Sequence, residues 1–193
     1  IGYRSFGSDL SYEISLFSMR KENYHFRDGS DYYETDGETS HEGVELELDW
    51  QINDALSLHS GFSWAKHEYA FNRDVSGGNA LETITDGNYI DSAPKTLGNS
   101  TLLWQATPRF SAAAQWEHVG SYYMDASNTQ KYEGHDLVNL ALNPNLRESV
   151  ALEGRVLNVF DEDYAKRADV WFGDNRYFPG EPRRFTFAVK AAY

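Results

Sequence analysis

Histidines, tyrosines and carboxylates are the side chains of this sequence with chemistry to offer, and no cysteine joins them. Without thiols there is no thiolate metal site, no disulfide and no thiol nucleophile. The histidines stand at His25, His41, His59, His67, His118 and His135. No two have the spacing of a local metal clip. His59 and His67 share one face of a segment but lie eight residues apart, about 27 Å along a strand. They read as neutral wall or loop histidines, and no metal ligand is assigned. A hydrolase would need a serine, a histidine and an orienting acid converging on one wall. Ser57, His59 and Ser63 share a face, but no motif selects them. Gly77-Gly78 is ordinary loop punctuation, not a phosphate cradle. The sequence therefore leads to no enzyme, no catalytic residue and no cofactor.

What remains is recognition. Aromatics beside charged groups offer flat apolar area with placed polar contacts, the makings of a ligand grip. They gather in three stretches: Tyr32 and Tyr33 among acids, Tyr89 near Asp86 and Asp91, and Trp171, Phe172, Arg176 and Tyr177 in a third. These seven are the candidate ligand-binding residues. A formal net charge of -13 excludes a nucleic-acid partner, which needs a basic footprint. The acids that accompany the aromatics in these stretches favour a neutral or cationic small-molecule ligand over a strongly anionic one.

The elements that must position these residues alternate with period two. From Val44 to Ile52 one face carries Val44, Leu46, Leu48, Trp50 and Ile52, and the other Glu45, Glu47, Asp49 and Gln51. The acidic face reads as a solvated polar wall. Ala55 to Tyr69, Phe110 to Glu117 and Arg184 to Tyr193 repeat the pattern. Weaker runs span Leu10 to Tyr24, Thr96 to Gln105, Leu137 to Leu142 and Val150 to Val159, so eight strands are expected, with a partial one at Ile1 to Ser5. Many exceed the length usual in soluble sheets, roughly 5–6 residues, and suit tilted strands crossing a bilayer. Connections expected to be short, at Phe6 to Asp9, Asn53-Asp54, Thr107-Pro108 and Pro144 to Arg147, alternate with long ones. The long ones are Arg27 to His41, Asn72 to Ala93, Met124 to Glu133 and Asp161 to Arg183. That rhythm fits an antiparallel transmembrane β-barrel, with tight turns at one end and long loops at the other. Trp50, Trp64 and Trp116, on the apolar face, are the expected membrane girdle.

Four blocks in order carry a family resemblance: 39–47 around Gly43, 92–99 around Pro94, 157–164 around Asn158 and Asp161, and 177–185 around Pro179-Gly180. Gly43 is expected to let its strand rise from a loop without a Cβ penalty, Pro94 to open a strand, and Asn158 and Asp161 to bond local backbone where a strand ends. In this the sequence resembles the C-terminal part of TonB-dependent outer-membrane receptors. The resemblance implies about eight strands of a probable 22-stranded plugged barrel, with 1–193 as its C-terminal segment. The plug domain, the TonB box and the earlier strands would lie outside it. It further implies import of a scarce nutrient, an iron-siderophore or similar metal chelate. Implied partners are the inner-membrane TonB complex, outer-membrane lipid and lipopolysaccharide, and the barrel-assembly machinery. That machinery would read the terminal strand through Phe185, Phe187, Val189 and Tyr193. Alternatives are a complete eight-stranded barrel with a structural or adhesion role, and a passive porin.

Overall fold

Alternation of apolar and polar side chains turns nearly the whole chain into strand. The structure is a computed structural model that describes residues 1–27, 32–76, 81–147 and 150–191. Tyr193 lies outside them. Fifteen strands occur among the described residues: β1 (Gly2–Phe6), β2 (Leu10–Arg27), β3 (Tyr33–Asn53), β4 (Leu56–Tyr69), β5 (Arg73–Ser76), β6 (Leu81–Ile84), β7 (Thr96–Thr107), β8 (Phe110–Val119), β9 (Tyr122–Tyr123), β10 (Lys131–Tyr132), β11 (His135–Arg147), β12 (Val150–Leu157), β13 (Ala165–Trp171), β14 (Asp174–Pro179) and β15 (Arg184–Ala191). Nine form one antiparallel sheet in the order β1-β2-β3-β4-β7-β8-β11-β12-β15. These are the eight expected strands and the short first one. The sheet is open, with β1 and β15 at its two ends, so the described strands do not close on themselves as the small-barrel alternative requires.

Register explains why the sheet has two unlike faces. One row of directly opposed residues runs Leu10, Trp50, Leu58, Leu102, Ala114, Leu140, Val156 and Phe185 across eight strands. Every member is apolar. The neighbouring row, Ser11, Asp49, His59, Thr101, Gln115 and Asn139, is polar throughout. Phe185 and Phe187 on the apolar face are 72% and 69% exposed, a contiguous greasy surface that water would not tolerate and hydrocarbon would cover. The polar face is the inner wall. It is laced by ion pairs, Arg4 with Glu13, and Glu153 with both Arg155 and Lys190.

Tryptophans mark the height of the apolar band. Trp50 and Trp104 stand near the tight-turn end, while Trp64 and Trp116 stand toward the other. Trp104 shares the outward face with the three expected girdle residues and is 49% exposed. On β7 the row of Trp64 crosses at Thr96, eight residues from Trp104, roughly 27 Å along the strand and near the usual height of a barrel's apolar band once tilted.

Above that band the strands and links depart from expectation. The pairing of β2 and β3 continues from Leu10↔Trp50 up to Arg27↔Tyr33, so the link expected over Arg27 to His41 is mostly ladder. β11 likewise runs through Pro144 to Arg147, with a register shift at its end. The turn expected at Pro144 to Arg147 thus gives way to strand, and residues 148–149 lie outside the described residues. The other three long links carry small two-stranded sheets of their own: β5–β6, β9–β10 and β13–β14.

Gly43 has a different role from the one expected. It sits inside β3 without a left-handed φ. A Cβ there would lie 2.5 Å from the Trp64 carbonyl oxygen and 2.7 Å from the Phe17 ring, so close approach is what excludes a side chain. Asn158 and Asp161 both have left-handed backbone (φ 50° and 58°) just past β12, but only Asn158 bonds local backbone as expected, while the Asp161 carboxylate accepts the distant Arg183 N–H at 2.8 Å. The buried Asn158 amide donates to the carbonyls of Glu162 (2.9 Å) and Glu181 (3.1 Å) and accepts from the Glu162 N–H. One side chain thereby clamps both roots of the segment that holds β13 and β14. Pro94 lies two residues ahead of β7, where a missing N–H costs no ladder bond.

Candidate functional site

The hairpins in the long links fold against the tops of the sheet strands and enclose a pocket. The β5–β6 hairpin buries Val75 and Ile84 against Phe26, Tyr69 and Ala126. Polar bonds fasten it: the Thr83 N–H donates to Ser127 Oγ (2.7 Å), and the Ala126 N–H donates to Glu82 (2.7 Å). The β13–β14 hairpin seats Ala168, wholly buried, beside Tyr122, Met124 and Ala165. Tyr122 Oη accepts the Ala168 N–H at 2.8 Å. The two-residue tip Phe172-Gly173 has φ of 55° and 81°, the left-handed pair of the turn that matches strand twist.

Between the hairpins lies a cavity of about 240 Å³, walled by Tyr24, Phe26, Tyr69, Ile84, Met124, Val170 and Trp171. Its polar lining is Glu82, Asp91, Arg167 and Asp169. Tyr69 donates its hydroxyl to Asp91 at 2.7 Å, and burial followed by the nearby Asp91 charge pushes the phenol's pKa up. Burial also raises the Glu82 carboxyl, and the neighbouring Asp91 and Asp125 add to the rise. Asp169 goes the other way. The Arg176 hydrogen bonds, with Arg167 alongside, hold it below the usual carboxylate range. Arg176 binds both Asp169 oxygens (2.7 and 2.9 Å) and stacks over Trp171 and Phe178 at 5.2 and 5.1 Å. Asp169 thus serves both arginines, while among the described residues no ion pair reaches Glu82 or Asp91.

Of the seven expected ligand contacts, the structure brings Trp171 to the pocket wall and Arg176 behind it, through Asp169. Phe172 is at the hairpin tip, 57% exposed, with its ring 5.4 Å from that of Trp171. Tyr177 pairs with Ala168 and so belongs to the other hairpin face. Tyr32 and Tyr33 sit at the top of the β2–β3 ladder and are not among the residues that line the cavity. Tyr89 bridges to Glu68, which alternates with the inward His67 and so shares the outward face with Trp64. There the Lys95 ammonium lies 3.8 Å from the Tyr89 ring centre, with Tyr123 at 5.7 Å. Tyr24, Phe26, Tyr69, Glu82 and Asp91 were not singled out by sequence reasoning. Asp91 and Glu82 lie in the acid-rich link Asn72 to Ala93, where nothing local marks which acids turn inward.

A second grouping was also missed. His41 and His67 are directly opposite on β3 and β4, facing the inner wall three residues above Trp64. Their Nδ1 atoms are 2.9 Å apart.

Comparison with known proteins agrees with this architecture. The family model for the TonB dependent receptor-like β-barrel matches residues 1–159. The probable TonB-dependent siderophore receptor PiuA of Acinetobacter baumannii is 22% identical over 186 residues, which is 95% of this chain and 25% of that protein. The metal-pseudopaline receptor CntO of Pseudomonas aeruginosa is 24% identical over 193 aligned residues, again 95% of this chain and 25% of the relative. Among solved structures, the siderophore receptor PiuA superposes with a TM-score of 0.84 at 19% identity, over 100% of this chain and 27% of its own. The ferric yersiniabactin uptake receptor FyuA of Yersinia pestis gives 0.81 at 16% identity, over 98% and 28%. The chain spans about a quarter of the length of these relatives. An apolar outward face, a polar inner wall, hairpin-bearing loops at one end and the match over residues 1–159 all place it alike: the chain belongs to the TonB-dependent receptor β-barrel family of the outer membrane, whose members are receptors and not enzymes.

Proposed function

We propose that the protein containing these residues is an outer-membrane transporter that binds a small metal chelate at its outer mouth and imports it with energy from TonB. In this reading residues 1–193 are the C-terminal segment of the barrel, and the plug and TonB box belong to the rest of the protein. The single observation that carries the reading is the aromatic-walled cavity between the β5–β6 and β13–β14 hairpins, at the loop end of a sheet built for a membrane. Relatives named for siderophore, metal-pseudopaline and ferric yersiniabactin recognition support the ligand class.

Charge narrows that class. Asp169 serves both Arg167 and Arg176, and with Glu82 and Asp91, which form no ion pair among the described residues, the three acids outnumber the two arginines by one. A neutral or cationic chelate suits this cavity better than a polyanionic one. The remaining partners follow from position. Outward Trp50, Trp64, Trp104 and Trp116 meet lipid, and outward Tyr89, Lys95 and Tyr123 above them meet the lipopolysaccharide layer. Phe185, Phe187 and Val189 on β15 offer the apolar edge that assembly machinery would read.

The test is binding by the full-length protein. Trp171→Ala removes the bulkiest side chain of the cavity wall and is expected to weaken a neutral or cationic ferric chelate by roughly 2 kcal/mol, near thirtyfold, while Phe160→Ala, at an exposed side chain outside the cavity lining, leaves affinity unchanged. Preference for highly anionic ferric complexes in the same titration, or full affinity in Trp171→Ala, would count against the assignment.

A further inference from the structure

Below the cavity, and independent of which chelate the protein carries, the inner wall holds two imidazoles in direct contact. His41 and His67 are joined Nδ1 to Nδ1 at 2.9 Å, with ring planes inclined by 58°. Only one hydrogen fits between two Nδ1 atoms, so one ring donates it and the other accepts with a bare lone pair. On the far side of His41, Nε2 is 2.9 Å from Oγ1 of Thr39, a residue 1% exposed. A fixed outer bond of this kind orients a ligating imidazole.

We propose that this pair is a copper(II) site, in which the cation takes the place of the shared hydrogen and both Nδ1 atoms bind it. Two nitrogens at the usual metal distance of about 2.0–2.1 Å and at right angles to each other are about 2.9 Å apart. Right angles are the arrangement that tetragonal Cu²⁺ prefers with nitrogen and oxygen ligands. The observed separation already matches, and a swing of the two rings turns their lone pairs from each other toward a common point. Proton balance is simple. The hydrogen on Nδ1 of the donating ring moves to Nε2 of the same ring, so both imidazoles stay neutral and no proton is released. Where that ring is His41, the new Nε2–H donates to Thr39 Oγ1.

No group of three or more His, Asp or Glu side chains gathers into a metal-holding cluster among the described residues. The pair therefore supplies two ligands and leaves the other positions to water or to donor atoms of a passing chelate. Such a site exchanges its metal readily. It faces inward, between the cavity at Tyr69 above and Glu45 and Glu47 below.

The experiment titrates the full-length protein in detergent with Cu²⁺ alone and records electron paramagnetic resonance. The wild type is expected to show hyperfine splitting from two nitrogens. His41→Gln and His67→Gln should each reduce that to one nitrogen and weaken binding roughly tenfold or more. His59→Gln, lower on the wall beside Asp49, should change neither. Retention of the two-nitrogen signal and full affinity in both pair variants overturns the proposal. Should either variant fail to assemble, the wild type decides through diethylpyrocarbonate labelling with mass mapping. Protection of His41 and His67, but not His59, by Cu²⁺ supports the site, and equal labelling with and without Cu²⁺ overturns it. Chelate import is not among the readouts, so failure here and failure of the transport reading are distinguishable.

Discussion

Gly43 illustrates how a residue without a side chain can be the least replaceable on its strand. The Phe17 ring lies across it from β2, and the Trp64 carbonyl presses from β4. Neither is the free end of a flexible chain: one is a ring packed across the wall, the other is ladder backbone. Gly43→Ala is therefore expected to destabilise the barrel by about 1–3 kcal/mol through overpacking, despite alanine's ordinary fitness for the strand's φ. Gly154, where an added Cβ meets nothing within 4 Å, is the matched control. Midpoints of denaturant unfolding in detergent for the two alanine variants would test the contrast, and equal midpoints would refute it. The importance of Gly43 was visible in the sequence, because it stands in a recognisable block. Its reason was not, since Phe17 is 26 residues away and reaches it only through the β2–β3 register.

At the scale of elements, the β13–β14 hairpin is held by the Asp169 carboxylate between Arg167 and Arg176, with Trp171 stacked on the latter. The folded-state pKa of Asp169 is depressed below its ordinary value near 3.8. The sign follows: the stabilisation is fully present above that value and is lost as pH falls through the lower, folded one. Amide protection factors across β13 and β14, the measured rates divided into the intrinsic ones, should thus hold down to about pH 4 and fall below it. Asp169→Asn should exchange fast at every pH. A hairpin whose protection in the wild type fades already between pH 7 and 5 would contradict this. The sheet strands were legible because one face of each is a run of apolar residues, whereas these small hairpins were not. Ala165 to Trp171 mixes Ala, Lys, Arg and Asp without alternation, and its pairing depends on a tip of two left-handed residues and on Tyr122 reaching in from another link. The His41–His67 contact was hidden for a related reason. Spacing along one strand says nothing about partners across a turn, and only a register fixed by Asn53 to Leu56 sets them opposite.

For the whole molecule, alternation decides between two solvents. Leu102 and Thr101 are adjacent in sequence, yet one belongs to the unbroken apolar row and the other to the polar row beside it. Leu102→Arg places a charge against hydrocarbon, at a cost of roughly 2–4 kcal/mol near mid-bilayer, and is expected to impair assembly into the heat-modifiable folded form. Thr101→Arg points the same side chain into the wet interior and should assemble normally. Equal behaviour of the pair would contradict the assignment of faces.

Asn158 gives the loop end of this architecture a mechanical character. One buried amide holds the two roots of the β13–β14 segment, at Glu162 and Glu181, and is itself held to β11 because the Asn158 N–H donates to Asn139. Roots fastened together cannot splay, and Tyr122, whose Oη accepts the Ala168 N–H, ties the hairpin a second time along its length. Pressure on Trp171 at its free end is therefore shared between the tops of β11 and β12 and the link that carries Tyr122.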